Sequence, residues 1–141
     1  MNESGVWKYV RDGMKNLWYA TRIESSAGNG VPDLTFALKT GTCGWIELKY
    51  IRQWPKRPTT KVKLPLRPDQ IAWLTLRGQY DKNLWVFVRI EDDFFLMDRD
   101  YALLLAIIDG ATKERWIDEF LHWHKRVNWK QMGAALERGN R

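Results

Sequence analysis

The chain has 141 residues and a formal net charge of +6, enough for one domain with a real hydrophobic core. Hydrophobic residues at 45% and aromatics at 13%, including nine Trp, exclude a disordered chain. The longest uncharged apolar run, residues 101–108, is under half of the roughly 18 residues a membrane span needs, Met1-Asn2-Glu3-Ser4-Gly5 has neither the basic start nor the apolar run of a secretory signal, and the lone Cys43 permits no internal disulfide. The expectation is a cytoplasmic protein with no membrane partner.

Residues 3–16 read as a helix with Val6, Val10 and Met14 or Leu17 along one side. Residues 17–24 are rich in aromatic and β-branched side chains and read as a strand. The small, polar turn Ser25-Ser26-Ala27-Gly28-Asn29-Gly30 leads into a second strand, 32–38. Lys39-Thr40-Gly41-Thr42 is a hairpin signal before a third strand, 43–50. Residues 51–66 carry Pro55, Pro58 and Pro65 and read as an extended loop, with room for a hairpin around Lys61-Val62-Lys63. Arg67-Pro68-Asp69-Gln70 opens a helix that runs to Arg77 and stops at Gly78. Residues 84–90 have the nearly continuous apolar pattern of a strand covered on both faces, and 94–97 form its short partner after an Asp92-Asp93 turn. From Asp98 the pattern turns helical, over 101–108, 112–126 and 129–137, the last opened by Asn128. The prediction is an α/β domain with a mixed central sheet: an α-β-β-β-α-β core over 1–97 and a helical extension over 98–141, packed on the core or at a subunit interface.

Charge is placed unevenly. Between residues 49 and 67 there are seven basic side chains and no acid, while the other 122 residues hold 16 basic and 17 acidic groups. A localised basic segment is the footprint of a polyanion partner. Strand alternation puts Trp45, Glu47 and Lys49 on one face, and the hairpin brings Asp33, just after Pro32, to the adjoining strand. Two carboxylates and an ammonium would then meet beside the basic segment, and hard oxygen ligands suit Mg²⁺ or Mn²⁺, which also coordinate phosphate.

Gly30-Val31-Pro32-Asp33, thirteen residues and then Glu47-Leu48-Lys49 match the PD-(D/E)xK nuclease signature. With Arg22 ending the first strand and Gln70 on the following helix, residues 3–90 resemble archaeal Holliday-junction resolvases and the related VRR-NUC nucleases, of which small phage members look like this chain. The resemblance implies a Mg²⁺-dependent DNA endonuclease selective for branched DNA. Asp33, Glu47 and the Leu48 carbonyl would hold the metal. Lys49 would orient the attacking water or stabilise charge on the phosphate, and Gln70 would steady the site. The further acid the family usually has would be Glu24, favoured here, or Glu3. Arg22, Arg52, Trp54, Lys56, Arg57, Lys61, Lys63 and Arg67 would bind DNA. Branched DNA is pseudo-two-fold, so a homodimer is expected, working in the host cytoplasm if phage-encoded. A nicking or end-processing nuclease, a DNA-binding module that has kept the fold without cutting, and an interaction protein with a vestigial site are the alternatives.

Other side chains have simpler readings. His122 and His124, two apart on an expected helix, would face different ways. Cys43 would be a packed small side chain, and Asp92-Asp93 a turn. Trp54 would either stack on an unpaired base or anchor its loop, and Trp116, Trp123 and Trp129 would be core or interface residues.

Overall fold

The computed structural model describes residues 2–23 and 29–139. Its elements run α1 (Glu3–Gly13), β1 (Trp18–Arg22), β2 (Leu34–Leu38), β3 (Cys43–Ile51), α2 (Pro68–Arg77), β4 (Leu84–Ile90), β5 (Asp93–Asp98), α3 (Arg99–Leu103) continued by a π turn (Leu104–Ile108), α4 (Lys113–Glu119), β6 (Leu121–His124) and α5 (Trp129–Arg138). The strands form one mixed sheet in the order β1-β2-β3-β4-β5-β6. Every neighbouring pair is antiparallel except β3 and β4, whose parallel pairing needs the crossover that α2 supplies. This is the expected α/β architecture. No described helix is long and apolar enough to cross a membrane.

Strand alternation sorts the core into two layers. Ile46, Leu48, Phe87, Phe94 and Leu96 pack on one face with α1 and α5, which contribute Val6, Val10, Met132 and Leu136, and with Met14, which caps α1. Val86, Val88, Phe95 and Met97 pack on the other with Leu74 of α2, Leu105 of the π turn and Trp116 of α4. Helix ends are set locally. The Asn2 side chain accepts from Gly5 N–H at 3.0 Å, and that of Asn128 from Gln131 N–H at 3.1 Å.

The tail departs from the sequence expectation. Residues 112–126 do not form one helix: α4 ends at Glu119, Phe120 is extended, and β6 follows. The reason is a period-2 alternation inside an otherwise helical text. Trp123 joins the α1/α5 layer, while His122 and His124 point to the opposite face, where β6 covers an edge β5 would otherwise expose. The two histidines therefore share a face instead of diverging. His122 Nε2 and His124 Nδ1 lie 2.8 and 2.9 Å from Asp93 Oδ1. Asp93 is no turn residue either; it is buried at the start of β5, and its Oδ2 accepts from Trp54 Nε1–H at 2.8 Å. Burial pushes the Asp93 pKa up, but the bonds from His122, His124 and Trp54 prevail and hold it below the usual carboxylate range. Asp93→Ala leaves the buried indole N–H without its acceptor, and a loss of about 2–4 kcal/mol in urea denaturation is expected. Cys43, expected to be packed, is exposed at the start of β3.

The proline-rich basic segment is a strap laid over the second layer. Trp54 is its anchor, buried edge-on against Phe95 and Trp116. Val62 bridges to Ala111, and Leu64 N–H donates to the Leu105 carbonyl at 3.3 Å. Val62 thus pairs with the chain beyond the π turn and not with a neighbour in a local hairpin.

Candidate functional site

The face of β3 that carries the candidate residues is fixed by its neighbours. Ile46 and Leu48 fill the α1/α5 layer, so Trp45, Glu47 and Lys49 point towards α2. Trp45 meets Trp73 of α2 edge-on at 5.3 Å between centroids, and the Arg77 guanidinium stacks over both rings. Gln70 lies one turn before Trp73 on the same helix face, as Glu47 lies two residues beyond Trp45 on the same strand face. Seating Trp73 on Trp45 therefore carries Gln70 towards Glu47. This aromatic clamp was not foreseen, although the spacings of Trp45 to Glu47 and Gln70 to Trp73 encode it.

Asp33 arrives from the other side. The pairing of Leu34 with Ile46 puts Asp33 beside Glu47, and the Asp33 Oδ2 accepts from Leu48 N–H at 2.7 Å. In an extended strand a residue's N–H and C=O point the same way, so the Leu48 carbonyl also faces this side. The loop before Asp33 passes hard against the start of α2. At Gly30, where φ is +73°, a Cβ would lie 2.1 Å from the Asp69 carbonyl oxygen. Only glycine fits both the backbone and the space. Gly30→Ala should cost about 1–3 kcal/mol, read as a fall in the thermal midpoint, because loop and helix must separate.

These elements enclose a cavity of about 210 Å³ lined by Glu3, Asp33, Glu47, Arg67 and Gln70, among others. A larger groove of about 460 Å³ lies elsewhere, between the strap and α4; the smaller cavity is the candidate site because the converging carboxyls are there. Glu47 and Lys49 are 3% and 5% exposed and Gln70 is 4% exposed. Burial, the hydrogen bond that the protonated carboxyl donates to Asp33, and the Asp33 charge push the Glu47 pKa up to about 10; Lys49 opposes this and Glu3 adds to it. A buried carboxyl pressed against a half-buried carboxylate favours a proton held between them, and a divalent cation would relieve the same repulsion. That donor chemistry fits Mg²⁺ or Mn²⁺. Among the described residues no three His, Cys, Asp or Glu side chains gather as a metal site. An ion held by Asp33 and Glu47 would complete its shell with the Leu48 carbonyl, water and phosphate oxygens, which is Mg²⁺ habit.

The other predicted residues are placed as follows. Glu3, half exposed at the start of α1, has its Oε1 3.9 Å from Lys49 Nζ; Glu24 lies outside the described residues. Gln70 Oε1 accepts from Arg67 N–H at 3.0 Å and so closes the start of α2, which leaves the NH₂ end of the amide for the cavity. Arg67 lines the cavity from an exposed position and pairs with Asp69 at 3.1 Å. Arg22 is exposed at the end of β1, with its guanidinium 5.8 Å over the ring of Trp7 of α1. Arg52, Lys56, Arg57, Lys61 and Lys63 are exposed along the strap, with Lys61 on Asp109 at 2.6 Å. Trp54 is 6% exposed, so of its two readings the anchoring one describes its position.

No family model matches this chain, and neither does any curated protein. Solved structures do. A VRR_NUC domain aligns over 62% of this chain and 84% of its own, with 24% identity and a TM-score of 0.45. Hjc of Archaeoglobus fulgidus, described as a Holliday junction resolvase from an archaeal hyperthermophile, aligns over 82% of this chain and 93% of its own, with 14% identity and a TM-score of 0.54. At that identity the likeness speaks to backbone architecture, and it agrees with the mixed sheet and the motif-bearing strands described above. The chain has the PD-(D/E)xK nuclease-like fold.

Proposed function

We propose that this protein is a metal-dependent endonuclease that hydrolyses phosphodiester bonds in DNA, selective for branched or junction DNA and working as a homodimer. The observation that carries this reading is the buried Glu47 carboxyl hydrogen-bonded to the half-buried Asp33, with Lys49 on the same strand face, at the root of the basic strap. The junction preference draws on the resolvase whose fold this chain shares, and the dimer on the two-fold pseudo-symmetry of a junction.

Asp33 and Glu47 would hold Mg²⁺ or Mn²⁺ with the Leu48 carbonyl, and Glu3 or Glu24 would complete the set. When bound, such an ion polarises a phosphoryl oxygen and acidifies water. The chain's own groups do the rest. The Lys49 ammonium faces charge developing on the phosphate from a water-poor position, where its field is strong. The Gln70 NH₂ offers a donor to an anionic oxygen or a positioned water. Arg67 and the strap cations bind the phosphates on either side, so affinity should fall steeply with salt.

Two measurements test the reading. Mn²⁺ titrated by calorimetry should give a binding isotherm that Asp33→Asn abolishes. Four-way, flap, linear duplex and single-stranded DNA incubated with Mg²⁺ should be cut with preference for the branched forms. No isotherm and no product with any substrate would refute it.

A further inference from the structure

The strap's charges are not used alike. Among the described residues Lys61 is paired with Asp109, Arg67 with Asp69 and Lys49 with Glu3, whereas Arg52, Lys56, Arg57 and Lys63 form no ion pair, and of these Lys56 and Arg57 are adjacent in the chain. These two adjacent cations stand at the edge of the 460 Å³ groove. Two exposed cations adjacent in the chain repel each other weakly in water, and an anion bridging them would be favoured. Their wall is stiff: Pro55 and Pro58 bracket them, and Thr60 N–H closes a turn on the Arg57 carbonyl at 3.1 Å. The floor is fixed too, because Trp54 is tied to Asp93 and the Lys113 ammonium sits 5.4 Å from its ring centre.

The opposite wall has the other chemistry. Glu114 and Asp118 of α4 face the groove one helical turn apart, with Ile117 beside them. Carboxylates repel phosphate but accept hydrogen bonds from the amino groups of cytosine, adenine or guanine. Ile117 and Pro58 supply apolar surface for a flat ring. The groove is of the size of small-molecule clefts, about 300–1,000 Å³, and much too narrow for a duplex. Trp54 follows Lys49 by five residues, so the groove lies within about 17 Å of the carboxylate site along the chain.

We propose that this groove takes one unpaired base of a DNA strand, with its phosphates on Lys56 and Arg57 and its amino edge on Glu114 and Asp118. The protein then senses an unpaired nucleotide near the phosphate it cuts. The inference rests on the nuclease reading for its choice of DNA, but the binding it describes needs neither metal nor cleavage.

The test is fluorescence anisotropy of labelled oligodeoxycytidylate, eight nucleotides long, with the full chain in EDTA at low salt. Lys56→Ala/Arg57→Ala should weaken binding at least tenfold. Ile117→Trp, which fills the groove without changing charge, should do the same and change affinity for a blunt duplex less than twofold. The parent should prefer oligo-dC to oligo-dT about fivefold, and Glu114→Gln/Asp118→Asn should erase that preference. Unchanged oligo-dC affinity in Lys56→Ala/Arg57→Ala, or in an Ile117→Trp protein of normal melting temperature, would overturn the proposal. So would equal affinity for dC and dT, or displacement by octaglutamate as effective as by unlabelled oligo-dC. Loss of the Mn²⁺ isotherm with oligo-dC binding intact would sink the nuclease reading and leave the groove standing; the reverse pattern would do the opposite.

Discussion

Glu47→Gln should yield a protein that cuts no DNA and yet, without metal, resists urea better than its parent. The carboxyl of Glu47 is 3% exposed, and burial together with Asp33 raises its pKa from 4.5 to about 10. Between those values the folded chain holds a proton that the unfolded chain has released. Stability from this group is therefore complete below pH 4.5 and drains away as pH rises towards 10. An amide of the same shape carries no such linkage. At pH 8 in EDTA the variant should gain about 2 kcal/mol over the parent, a gain that vanishes by pH 5. On the proposed function, cleavage should fall at least about 10³-fold, since one of the two carboxylates proposed to hold the metal is gone. Urea denaturation at pH 5, 6.5 and 8 decides it: a parent and variant whose difference does not move with pH would show that Glu47 is ionised in the metal-free fold. Such a loss of stability is the expected trade if, as proposed, the two carboxylates are kept together to bind a cation.

Much of this site is legible in the residues because strand alternation is rigid. Once β3 is recognised, Glu47 and Lys49 must share a face, and one hairpin suffices to bring Asp33 to them. Gln70 could be found only through its motif, because its approach depends on Trp73 docking against Trp45, a contact between elements separated by the whole strap. The tail shows the opposite case. Phe120-Leu121-His122-Trp123-His124 suits a helical stripe as well as a strand, and the β5 edge, which exists only in three dimensions, selects the strand. Asp93 is the same case: beside Asp92 it looks like turn chemistry, and its three donors come from the strap and from β6. Trp54 had two roles open to it in the sequence, and the acceptor that anchors it lies 39 residues away.

Lys49→Met should separate chemistry from metal binding. The ammonium is 5% exposed, sits on the Glu47 face of β3 and has Glu3 3.9 Å away as its only ion pair among the described residues. It coordinates nothing in the proposed set, so the Mn²⁺ isotherm should survive within a few fold, in contrast to Asp33→Asn. In the reaction, charge grows on the phosphate oxygens, and a fixed cation in a water-poor site stabilises that growth more than it stabilises bound substrate. The expected signature is a kcat lowered about 10²–10³-fold, equivalent to about 2.7–4 kcal/mol, with KM for DNA little changed because the strap carries most phosphate contacts. Lys49→Arg should recover little, since a planar guanidinium cannot occupy a buried slot shaped for a compact ammonium. A Lys49→Met protein that folds normally and cuts at the parental rate would remove Lys49 from the chemistry. One that loses Mn²⁺ as completely as Asp33→Asn would make it a structural support of the carboxylates instead.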